Sequence, residues 1–88
     1  MNEAEFRSEI EAEGYGNMRV IEFEPNSSND MHTHDFTARA FILSGEFNLE
    51  TEAGPNIQGP GGMCSLAAGT LHCEKAGADG ATILLGTK

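Results

Sequence analysis

The stretch His32-Thr-His34-Asp-Phe-Thr-Ala-Arg-Ala-Phe-Ile-Leu-Ser-Gly45 carries two of the chain's three histidines, one residue apart, at the head of a β-rich run. Side chains on a strand alternate between faces, so residues i and i+2 project to one side. Read as strands over Met31–Phe36 and Arg39–Ser44, the stretch aims the imidazoles of His32 and His34 at one spot. The third histidine, His72, stands in a later strand-like run after the turn Ala67-Ala-Gly69-Thr70. If the fold brings His72 opposite the pair, three neutral nitrogens converge, a donor set that suits a divalent transition metal.

Downstream, Glu46-Phe-Asn-Leu-Glu-Thr-Glu52 alternates cleanly, which turns Phe47 and Leu49 inward and the acids outward. Gly54-Pro-Asn56 and Gly59-Pro-Gly-Gly62 read as turns flanking a weak strand around Ile57. Met63–Leu66, Leu71–Lys75 and Ala81–Gly86 supply further short strands. Upstream, Val20–Phe23 is β-rich and Pro25–Asp30 is a polar loop. Only Asn2–Glu13 has helical character: Phe6 and Ile10 share a face, Asn2 is placed to cap the start, and Gly14 to stop the end. So short a helix is marginal alone, which predicts that Phe6 and Ile10 dock onto the body. The pattern predicts an all-β fold, a small antiparallel barrel or sandwich with a short N-terminal helix. Residues 1–14 form the helical segment and 15–88 the β domain.

The 88 residues make one domain with a modest core. Fourteen acidic residues against five basic ones leave a net charge of −9. Arg7, Arg19, Arg39, Lys75 and Lys88 are scattered, so no basic stripe offers phosphates a footing, and neither nucleic acid nor an anionic membrane is an expected partner. No apolar run is long enough to span a bilayer, and the acidic start lacks a signal peptide's pattern, so the cytoplasm is the expected compartment. There, Cys64 and Cys73 are expected as buried free thiols. No phosphate-cradling loop and no Gly-x-Ser-x-Gly elbow is present.

With these residues in view, the chain resembles the cupin superfamily of small β-barrels of jelly-roll type, in particular its short single-domain members. The first cupin motif runs Gly, five residues, His-x-His, three or four residues, Glu, six residues, Gly. Here His32-Thr33-His34 and Gly45 fit it, with Ser44-Gly45-Glu46 resembling the usual turn, while Ala38 stands where the glutamate would. The second runs Gly, five residues, Pro-x-Gly, two residues, His, three residues, Asn. Gly61, Gly69 and His72 fall in register, with Ala67 for the proline and Ala76 for the asparagine. The match covers Val20–Ile83.

The resemblance implies one divalent transition metal (Zn, Fe, Ni, Mn or Cu) held by His32, His34 and His72 inside the barrel, with a small-molecule ligand or substrate completing the coordination. It also implies a homodimer, paired through the helix or the strand Met18–Phe23. Ala38 cannot supply the carboxylate that completes a facial iron site. Glu74 shares a face with His72 on a regular strand and is the substitute to consider, although solvated charge is its expected role. Asp35 is expected to cap a turn or to pair with Arg39, and Arg39 to meet an acid at the surface. Phe36 and Phe41 are expected in the core. Two functions compete: a metal centre acting on a small polar molecule, and a non-catalytic ligand-binding or sensor module that lacks a functional metal site.

Overall fold

The computed structural model describes residues 1–88. Helix α1 (Glu3–Ala12) begins with a reciprocal capping box: Asn2 accepts from the Glu5 N–H, and the Glu5 carboxylate accepts from the Asn2 N–H. It ends at Gly14, whose φ of +90° turns the chain. There the Gly14 and Tyr15 N–H groups donate back to the Glu11 and Ile10 carbonyls, the paired bonds of a Schellman cap. All else regular is strand: β1 (Gly16–Phe23), β2 (Ala38–Thr51), β3 (Ile57–Gln58), β4 (Met63–Leu66) and β5 (His72–Thr87).

Every pairing is antiparallel, in the order β1-β5-β2-β3, with β4 also on β2. The long strands β2 and β5 lie side by side from Ala38↔Thr87 to Thr51↔His72. One edge of β5 is shared by β1, along Ala81–Thr87, and by isolated bridges from the loop Glu24–Thr37: Ser28↔Lys75 and His32↔His72. That loop connects β1 to β2, and it is where two of the histidines stand.

Two predicted breaks, at Gly45 and between Lys75 and Ala81, are continuous strand in the structure. Gly45 does not reverse the chain: β2 runs through it with register shifts between Ile42 and Ser44 and between Gly45 and Phe47. Its φ is +76°, and any Cβ there would run into the carbonyl oxygen of Gly80, itself at φ +77°. The same glycine chemistry serves a tight turn or a bulge, so residue type alone did not separate them. Across this irregular stretch each of the two strands flips parity once. Ala38, Ala40 and Ile42 face inward before it and Phe47 and Leu49 after it; on β5, His72, Glu74 and Ala76 give way to Ala81, Ile83 and Leu85.

The inward face packs Ala40, Ile42, Phe47, Leu49, Cys64, Leu66, Ala81 and Ile83 into one core. The outward face of the same strands carries Phe41 and Leu84 against Phe6 and Ile10 of α1, all four buried, as docking of the helix requires. Phe41 thus packs in the core, as expected. Arg39 also belongs to this layer: Nη1 donates to Glu9 (3.1 Å) and Glu13 (2.8 Å), and the guanidinium lies over Phe6. It meets acids, but those of the helix, so the expected pairing with Asp35 is not formed. Both cysteines are free and buried.

Candidate metal centre

The histidine segment is not the regular strand its spacing predicts. Only His32 makes ladder bonds, exchanging N–H···O contacts with His72 in both directions (2.8 and 2.9 Å), while Asp35 and Phe36 lie in a bend. The His34 carbonyl accepts from the Gly69 N–H (2.8 Å), which ties the loop to the turn that precedes β5. Two backbone anchors thus achieve what strand alternation was expected to do. Ring centroids of His32, His34 and His72 stand 4.4–4.9 Å apart. One ligand nitrogen from each falls within 4.8 Å of the others.

Burial grades across the cluster. His72 is 1 % exposed, and His32 and His34 are half-buried. His34 stacks on Phe36 with centroids 4.6 Å apart and 11° between planes, so Phe36 borders the site where core packing was expected.

Hydrogen bonding assigns the tautomers. His32 Nδ1 lies 2.7 Å from the Asp30 carbonyl oxygen, and His72 Nδ1 lies 2.8 Å from that of Thr70. A carbonyl only accepts, so each Nδ1 carries a proton, and the ring in its neutral form has its lone pair on Nε2. Backbone carbonyls orient metal-bound histidines in the same way. His34 Nδ1 is buried with no hydrogen-bond partner. Burial, then the neighbouring His72 and His32, holds the His34 pKa below its ordinary value against the opposing pull of Glu74 and Asp35. A ring kept neutral keeps a lone pair for a cation.

Glu74 stands among the histidines and is not the solvated charge its sequence position predicts. Oε2 lies 3.1 Å from His72 Nε2 and 3.4 Å from His32 Nε2, is buried, and has no hydrogen-bond partner. Its sequence signal was the shared face with His72; proximity to His32 comes only with the bridge between loop and β5. Asp35 is exposed.

Beside the cluster lies a cavity of about 210 Å³ with largely apolar walls, among them Phe23, Phe47, Leu49, Leu66 and Ile83. His34, His72 and Glu74 reach it, and so do Ala38 and Cys64. The only cation on its wall is Arg19 of β1, to which sequence reading gave no role at the site. Burial pushes the Cys64 thiol up to about 11, so it is a packing residue at neutral pH.

The same architecture recurs among solved structures. A cupin superfamily protein from Desulfitobacterium hafniense superposes with a TM-score of 0.70 at 18% identity over 80% of this chain and 63% of that one. The fold is that of the cupins. A structural-genomics protein of unknown function from Rhizobium leguminosarum gives 0.75 at 18% identity, over 80% of this chain and 66% of its own. The DMSP lyase DddQ from Ruegeria pomeroyi gives 0.73 at 22%, over 81% and 36%. This cupin barrel therefore spans less than two thirds of the length of these neighbours, and at such identities they share its fold alone. No protein-family model and no curated protein matches the sequence. Ala38 lines the cavity of this cupin fold together with His34 and His72.

Proposed function

We propose that this domain binds one divalent transition metal through His32, His34 and His72 and receives a small molecule at it. The observation that supports this reading is the convergence of three imidazoles, two of them locked with Nε2 lone pairs available. Unpartnered His34 Nδ1 and Glu74 Oε2 fit the same reading, because buried polar atoms without partners are costly. Such an ion supplies a Lewis acid with open positions for an exogenous ligand.

The cavity selects the ligand. At about 210 Å³ it is smaller than the roughly 300–1,000 Å³ of drug-sized sites, which points to a metabolite-sized molecule. Apolar walls suit a hydrocarbon portion, and Arg19 suits an anionic group such as a carboxylate. Arg19 Nη1 is engaged by the Asn17 carbonyl at 3.2 Å, which steadies the guanidinium and leaves its other N–H donors free.

A binding module without turnover is the second reading. It is favoured by the lack, on the cavity wall, of any titratable group beyond the histidine cluster, Glu74, Arg19 and the inert Cys64. Turnover of a panel of small carboxylic acids, under air and under nitrogen, separates the two. We further propose a homodimer through β1, an edge strand with Val20 exposed; sedimentation should give twice 9.4 kDa.

The metal assignment is tested by His34→Ala and His72→Ala. Both should lose metal content and the stabilisation that added metal confers on the parent protein. Parent-like metal retention in both would refute the three-histidine site.

A further inference from the structure

Sequence motifs leave this centre without a carboxylate, since Ala38 occupies the position on β2 from which one is expected. We propose that Glu74 is the fourth ligand, the carboxylate being delivered from β5, two residues after His72. The inference rests on the metal reading above and deepens it.

Three observations carry it. The first is placement. His72 and Glu74 share the inward face of β5, and the strand is held there by pairing with Leu49 and Thr51 of β2. On the other edge, the Glu74 N–H donates to Asn29 Oδ1 at 2.8 Å, one residue from the Asp30 carbonyl that orients His32. Glu74 and His32 are therefore fixed to the same short piece of loop.

The second is polarity. Oε2 is an acceptor, and so, when the rings are in the neutral form that a metal requires, is each Nε2 it faces, at 3.1 and 3.4 Å. Lone pairs set against one another at these distances repel unless a cation lies between them. A proton can serve one such contact, whereas an ion with several coordination positions serves both.

The third is distance. Donors held about 2.1 Å from one ion at octahedral or tetrahedral angles lie roughly 3.0–3.4 Å apart. The two observed separations, 3.1 and 3.4 Å, fall in that range. A His₃ set would carry the full dication charge, whereas a carboxylate offsets one unit of it and adds a hard oxygen donor. The mixed set extends the range of acceptable ions from zinc towards manganese and ferrous iron.

Titration of metal-free protein with Zn²⁺ alone and with Mn²⁺ alone tests this, on the parent chain, Glu74→Gln, Glu74→Asp and His72→Ala. Glu74→Gln keeps the shape and removes the charged oxygen. It should weaken binding of both ions by at least the roughly 10–100-fold that follows loss of a second-shell partner. The loss should be greater for Mn²⁺, with Glu74→Asp closer to the parent. X-ray absorption of the Zn²⁺-loaded variant should show one light donor replaced. Glu74→Gln that binds both ions like the parent, while His72→Ala does not, would overturn the carboxylate and leave the three-histidine site standing. Failure of the parent to bind either ion would overturn both.

Discussion

At the residue scale, the orientation of two imidazoles is decided by main-chain oxygens two positions upstream, Asp30 for His32 and Thr70 for His72. The i−2 carbonyl is a local device, and it sets the nitrogen that faces the centre without help from any distant side chain. His34 has no such partner, and its environment sets its protonation instead. Its pKa is held below the usual value chiefly by burial. Between that lowered value and the unfolded-state value of about 6.5, the unfolded chain binds more protons, so stability rises with pH. Calorimetry of metal-free protein should show the His34 contribution lost as pH falls through the unfolded-state value of about 6.5 and below it, with a shallower slope in His34→Gln. Cys64 gives an independent check. With its thiol pushed up to about 11 by burial, native protein at neutral pH should resist alkylation there, and mass spectrometry should find modification only after unfolding.

At the element scale, the site depends on how β2 and β5 change parity. The bulges at Gly45 and around Gly80 let one strand serve the inner core along both halves while turning Phe41 and Leu84 to the helix. Gly45→Ala forces a left-handed non-glycine residue, costing about 1–3 kcal/mol, and adds a clash with the Gly80 carbonyl. Denaturant unfolding should show a loss at the upper end of that range or beyond it. Phe6→Ala should cost about 3–5 kcal/mol, because Phe6 is fully buried against Phe41 with ring centroids 5.4 Å apart. These elements also mark what could be read in advance. The amphipathic helix with both its caps, the alternation around Phe47 and the two histidine motifs were legible, because each is local in sequence. Gly45 misread as a turn, Arg39 facing the helix, and Glu74 beside His32 depend on contacts between distant segments, which no short window contains. The histidine pair was found through a strand that does not form; spacing survived because a two-residue step can be met by a bridged loop as well as by a pleat.

At the scale of the whole molecule, a charge of −9 surrounds a centre that is suited to a cation. The surface potential favours metal ions over anions at long range, so Arg19 is the local exception that would seat an anionic ligand. No helix is long and apolar enough to cross a membrane. Because folding brings the three histidines together from the loop and from β5, a metal bound there would add to stability, by about 2.7 kcal/mol at a hundredfold excess over Kd. The central claim is most directly tested by elemental analysis of untagged protein purified without chelator, followed by re-addition of Zn²⁺ and Mn²⁺ after stripping. The account predicts one transition-metal ion per chain, recovered on re-addition with a rise in melting temperature. Protein that carries no metal, takes up neither ion and melts unchanged would contradict it.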